Sequence, residues 1–368
     1  MLNTQTSKLT ALAFAASLVL TACGGGGGSS NATTPATGAS APGAASSPAT
    51  TAGVAPVTSV AAPTYAAGSF QAAAFQQVNN YRSAMGVGEL AQDPILDTSA
   101  QAHSLYMFSN LSSGVIRALP HDEIAGNVNY YADTPLLRAE KAGAPTTEWI
   151  GENIAAGVMQ TTPAAAAADC IGQALASVYH LADLTYNQQT VGLGYMPGTS
   201  AYPIYTCTSD FGTTTGVVGA PGPNSSSYSG GQQIATNVVV HSPYTSETGV
   251  ALAMRPESDN PAPDLAAPGR PILVRVNAEN ADTLTVARFA LTEGSGAAVA
   301  ARILVPSSAQ ASSTATTVAD PNNLLPNGTA VLLPLVALKA NTTYTVTFNG
   351  ARDGSAASAS WSFTTGAN

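Results

Sequence analysis

Apolar positions in the first half of the chain recur at three- and four-residue steps. Phe70, Ala74, Val78, Tyr81 and Met85 make one helical face that begins near Ser69, and Gly86 ends it. Leu90 follows, and then Asp93 and Pro94 open a second helix as N-cap and first-turn proline. On it Leu96, Ala100, His103 and Met107 share a face, so His103 reads as a packed core histidine. Thr162 and Pro163 open an alanine-rich helix that passes Cys170, Ala174 and Ser177 and ends about His180. Residues 191–195 and 204–207 then alternate like strands.

Beyond residue 230 the pattern changes to short apolar runs between Gly, Pro and Asn. Residues 234–241, 271–276, 284–286, 302–305, 330–333 and 343–348 read as strands. Many short strands with such turns predict a β-sandwich over 231–368. Residues 216–230, rich in Gly, Ser, Pro and Asn, read as a linker.

The chain's start carries a different signal. After Lys8, an apolar run over 9–20 is too short to span a bilayer. It ends in Leu20-Thr21-Ala22-Cys23, which resembles a bacterial lipobox, so residues 1–23 are expected to be a signal with Cys23 as the lipidated residue. A Gly/Ser/Ala/Pro mixture over 24–65 is expected to be a disordered tether. The implied location is the cell envelope, with the membrane reached through the lipid. Gly24, not Asp, follows Cys23, which is compatible with outer-membrane sorting.

Composition narrows the partners. Of 368 residues, 45% are apolar and only 9% charged, with a net charge of -9. No basic patch is available to neutralise phosphates, so a nucleic-acid partner is not expected.

The stretch with most chemistry is Gly151-Glu152-Asn153 through Gly157, which places an acid and an amide between glycines. The flanking glycines predict a tight turn that holds Glu152 in place, with a cap or an Arg pair as the structural alternative. Around it stand Asn80-Tyr81-Arg82, Asp93-Pro94, Gln101-Ala102-His103, His121 with Gly126, Arg138, His180, residues 191–195 and Asp210-Phe211-Gly212. In this order, over residues 66–215, the chain resembles the CAP superfamily (cysteine-rich secretory proteins, antigen 5, pathogenesis-related 1) in its bacterial form. The resemblance implies an α+β fold: an α-β-α sandwich with a central cleft, followed here by the all-β sandwich. Residues 338–344 and 361–365 resemble the end of bacterial immunoglobulin-like domains, with Tyr344 as a tyrosine-corner residue.

The resemblance also implies site residues. His121 matches the family's first cleft histidine, Glu152 the Glu of its Gly-Glu-Asn motif, and His180 the second histidine. The family's second Glu falls near Ser177, where this chain has none. Relatives carry Ser-Pro-Gly-His-Arg where this chain has 177–181, and tryptophans near Ala174 and Cys207. Two imidazoles and a carboxylate suit Zn²⁺ or a similar ion, with one position left for water. A hydrolase would use Glu152 as base, with His180 in the same cleft. Ser177 lies three residues before His180, so a Ser-His pair or an ordinary exposed serine are both open. The family also implies binding roles, including sterol or lipid in some members. A binding module toward an envelope or extracellular lipid, peptide or protein ranks first, hydrolase second and lipid carrier third. Cys170 and Cys207, left over once Cys23 takes the lipid, are expected to form a disulfide from helix to sheet near the missing tryptophans. In the last region, Asp282 and Asp353 read as solvated turn residues and His241 as a surface residue. That region is expected to be a spacer or adhesive module.

Overall fold

The computed structural model describes residues 53–225, 230–279 and 282–367. Cys23, the expected signal and most of the expected tether lie outside these residues. The fold is mixed α+β, with three sheets and six helices among the described residues. No helix among them is long and apolar enough to cross a membrane.

Local signals set the first helices. The Ser69 side chain accepts from Ala72 N at the start of α1 (Phe70–Met85), and Gly86 ends it at φ 79°. Asp93 accepts from Ile95 N at the start of α2 (Pro94–Ser112). Thr134 and Thr162 cap α3 (Pro135–Ala142) and α4 (Pro163–Leu175) in the same way. The sheet between these helices has β1 (Ala91–Gln92), β3 (Thr190–Met196), β4 (Ile204–Thr213) and β2 (Trp149–Val158), in that spatial order. Only β1 and β3 run parallel.

Strand alternation divides the neighbours. Val191 and Leu193 of β3, with Tyr205, Cys207 and Phe211 of β4, share a core with Phe70, Ala74 and Val78 of α1 and Ile171 of α4. The opposite face receives α2. There a Cβ at Gly192 would meet the Leu96 carbonyl carbon at 2.0 Å, and one at Gly194 the Ala100 oxygen at 2.1 Å. These two glycines therefore let helix backbone touch sheet backbone. Cys170 of α4 and Cys207 of β4 are joined by a disulfide, with an S–S distance of 2.00 Å.

The C-terminal half is two sheets over one core. The larger orders β5 (Val240–Ser242), β6 (Ile272–Arg275), β10 (Thr329–Pro334), β8 (Ala301–Val305) and β9 (Thr317–Ala319). The smaller orders β12 (Ser355–Thr364), β11 (Thr343–Arg352) and β7 (Leu284–Glu293). Val274, Ile303 and Leu332 of the first meet Phe289, Val346, Phe348, Trp361 and Phe363 of the second. The Tyr344 hydroxyl accepts from Lys339 N at 2.8 Å. A short helix, α6 (Ser307–Gln310), follows β8.

The larger sheet is buried on its other face as well. Leu273, Leu304, Val331 and Leu333 pack with Tyr81 and Met85 of α1 and with Leu181 and Ala182 of α5 (Tyr179–Leu184). A spacer module would keep this face polar. Here it is core shared with the first half, and residues from Thr50 onward form one compact unit.

Several expectations are corrected at this junction. From Gly53 the expected tether is laid onto the body: Val54 N donates to Gly231 O at 2.8 Å and Glu89 N to Val57 O at 2.7 Å. In the expected linker, Leu136 N donates to Pro223 O and Ser225 N to Ile150 O, so 223–225 run along β2. The strand expected over 234–241 is reduced to Val240–Ser242, the part that pairs with β6. His241 stacks on Trp361 at 3.8 Å between ring centroids, and its Nδ1 bonds Pro243 O, so it is not a free surface residue. Burial lowers its pKa. Asp282 pairs with Arg352, and Asp353 accepts from Thr283 N, so neither acid is merely solvated.

Candidate functional site

The Gly151-Glu152-Asn153 stretch is not a turn. It lies inside β2, paired residue for residue with β4, with Glu152 opposite Asp210. Alternation sends Glu152 toward α2 and Asn153 to the other face, where Asn153 Nδ2 donates to His180 O at 3.0 Å. Sequence proximity to glycine gave the wrong local shape because ladder pairing with a distant strand decided it.

Glu152 is buried and fully engaged. Arg138 Nη2 donates to Oε2 at 2.6 Å, and His121 Nδ1 to Oε1 at 2.8 Å. His103 Nε2 stands 3.9 Å from the same Oε1. Burial works to raise the Glu152 pKa, but Arg138 first, then His103 and His121, outweigh it and hold the carboxyl well below the usual range. Its strand neighbour Asp210 goes the other way. Full burial, then the Glu152 charge, push the Asp210 carboxyl well above its ordinary value. His103 is indeed packed inside, yet it belongs to this cluster. Its Nδ1 meets Glu123 Oε1 at 2.9 Å and its Nε2 meets Pro120 O at 3.0 Å. Glu123 also accepts from Tyr131 N, and Tyr106 OH accepts from Ile124 N, so α2 anchors the loop that carries His121.

His180 is not at the end of one long helix. The helix breaks after Leu175 and restarts as α5, with no local side chain capping the new N-terminus. Glu257, from the C-terminal half, takes that role. It accepts from Val178 N, Tyr179 N and His180 N at 2.8–3.0 Å. Arg255 N donates to Ala176 O at 3.0 Å, which satisfies a carbonyl freed by the break. The same Glu257 Oε1 lies 2.9 Å from His180 Nδ1. Ser177 is buried rather than exposed. Its hydroxyl donates to Gln173 O at 2.9 Å and does not serve His180.

The two cleft histidines are thus built alike. Each meets a carboxylate through Nδ1, which places the proton on Nδ1 and leaves Nε2 as an acceptor. Their ring centroids are 6.4 Å apart, with side chains 33% and 21% exposed. Both line one cleft of about 240 Å³, and a second lobe of about 250 Å³ shares them and Glu257. Glu257, Ser258, Asp259, Leu324 and Pro326 of the C-terminal half form part of the first lobe's wall. Asn224 stands there too, its Oδ1 accepting from Glu152 N at 3.1 Å.

Asp183 completes the wall. It sits three residues after His180 on α5, and Gln188 Nε2 holds its Oδ1 at 3.2 Å. Its Oδ2 is buried with no hydrogen-bond partner among the described residues. Burial pushes its pKa up to about 7 against the opposing pull of His180.

The expected ligand set of His121, Glu152 and His180 reaches one cleft, but not as three ligands. Both Glu152 oxygens are used by Arg138 and His121, so Glu152 stands behind His121. Among the described residues no group of three or more His, Cys, Asp and Glu side chains is arranged to hold a metal ion. Sequence reasoning missed Glu257 and Asp183, and named Asp210 only as part of the resemblance, with no role in the site. A search for acids at i+3 from His180 finds Asp183; nothing local marks Glu257. Compared with protein-family models and with curated proteins, the chain matches none.

Proposed function

We propose that this is an envelope protein, lipid-anchored at Cys23, whose first half is CAP-like and whose second is an immunoglobulin-like sandwich, with a ligand-binding cleft where the halves meet. One observation carries the reading: His121 and His180 share a cleft, each backed through Nδ1 by a buried carboxylate. Such carboxylate–histidine pairs fix the ring and raise the basicity of Nε2 toward a soft or borderline cation. The two imidazoles fit a divalent ion such as Zn²⁺, and Glu152 is reassigned from ligand to orienting partner. A bound ion would supply a Lewis acid to which an incoming ligand could add.

The hydrolase reading has less support. Glu152 is held too acidic for a general base near neutral pH, and the Ser177 proton is given to the helix. A lipid carrier fits a wall of imidazoles and carboxyls poorly. The test is thermal melting of the full chain with micromolar Zn²⁺. A rise in midpoint that disappears in His121→Ala and in His180→Ala supports the cation site, and a flat response in the wild type removes it.

A further inference from the structure

The cleft presents acceptors. Among the described residues lining its first lobe there is no Lys or Arg, while Glu152, Asp183, Glu257 and Asp259 all stand there. Two of these acids are already occupied: Glu152 by Arg138 and His121, Glu257 by three backbone N–H groups and His180. Asp183 is different. It is only 6% exposed, and one of its carboxyl oxygens has no hydrogen-bond partner among the described residues. A buried oxygen left in that state is costly, and a bound donor would recover the lost hydrogen bond. Burial is the largest influence on Asp183 and opposes its charged form, as does Glu152, while His180, Gln188 and Arg82 favour it. Asp259 is exposed at the mouth of the lobe.

We infer that the cleft takes a ligand bearing a primary ammonium group, with Asp183 as its buried counter-carboxylate and Asp259 as the charge that meets it at the mouth. An ammonium carries three donors and no acceptor, which is the complement of this wall. A guanidinium fork needs two parallel acceptors at one carboxylate, whereas Asp183 has only one oxygen free. The lobe, at about 240 Å³, holds a short alkyl chain with its head group. This rests on the reading of the cleft as a ligand site. A free small amine and a lysyl side chain share the chemistry.

The experiment is calorimetric titration of the full chain with n-butylamine, with its neutral isostere n-butanol, and with a blocked pentapeptide holding one lysine. The amine is expected to bind at least tenfold more tightly than the alcohol. That preference is expected to vanish in Asp183→Asn and to weaken severalfold in Asp259→Asn. Tighter binding of the peptide than of butylamine assigns the source to a polypeptide, and the reverse assigns it to a free amine. Equal binding of amine and alcohol, or a preference that survives Asp183→Asn, overturns the inference. Should Asp183→Asn not fold, an unchanged preference in Asp259→Asn overturns it. Zn²⁺ uptake by the wild type is measured alongside: kept, it confines the failure to the ammonium; lost, the cation reading falls as well.

Discussion

Glu257 Oε1 lies 2.9 Å from His180 Nδ1, although the two residues are 77 positions apart and come from opposite halves of the chain. The same carboxylate closes the open N-terminus of α5. One acid therefore fixes both where His180 sits and which way its ring faces. Glu257→Ala is expected to cost about 2–4 kcal/mol in urea unfolding, because several donors lose a charged acceptor at once. Zn²⁺ affinity is expected to fall 10- to 100-fold, as for other partners that stand behind a ligand. A stability loss without any change in Zn²⁺ affinity would separate the cap from the site.

Arg138 neutralises the buried Glu152. Arg138→Met is expected to destabilise by about 3–5 kcal/mol, since it leaves a buried carboxylate without its counter-charge. Adding Glu152→Gln should recover part of that loss. A double-mutant cycle in denaturant measures it, and strict additivity would argue against the pair.

Asp183 and Glu148 give a pH signature. Burial pushes each to about 7, with Asp93 adding to the effect on Glu148. A carboxyl raised in the folded state binds a proton that the unfolded chain releases. Its contribution is present below the ordinary carboxylate range and is lost as pH rises toward 7. The thermal midpoint is therefore expected to fall between pH 5 and pH 7.5, and Asp183→Asn should flatten that fall. Tenfold in proton affinity is about 1.4 kcal/mol, so one such group accounts for a few kcal/mol. Glu152 has the opposite sign: its contribution is present above the usual carboxylate range and is lost progressively as pH falls through that range into stronger acid.

The Cys170–Cys207 bond spans 37 residues and ties α4 to β4. Replacing both cysteines with alanine is expected to cost about 2–4 kcal/mol. The unfolding midpoint of the wild type should drop in reductant, and that of the double variant should not move.

Much of the first half could be read locally. Ser69, Asp93, Thr162 and Gly86 sit where helices begin and end because capping bonds span only a few residues. The failures share one physical cause, which is a partner far away in the chain. Glycines around Glu152 suggest a turn, but ten residues of pairing with β4 make a strand. An alanine-rich run suggests one helix to His180, but Arg255 and Glu257 supply the bonds that let it break. The run 223–225 has linker composition, yet it hydrogen-bonds along β2 and brings Asn224 to the cleft. The resemblance pointed to His121, Glu152 and His180, and the structure brings all three to one cleft. The pairing of the histidines with carboxylates was not legible, because Glu257 sits in no motif.

The most direct measurement is ¹⁵N NMR of the imidazole rings of His121 and His180 at pH 8, before and after one equivalent of Zn²⁺. Both rings should carry the proton on Nδ1, and both Nε2 resonances should move together on adding the ion. A ring protonated on Nε2, or Nε2 resonances that stay in place with Zn²⁺, would contradict a cleft built from two carboxylate-backed histidines.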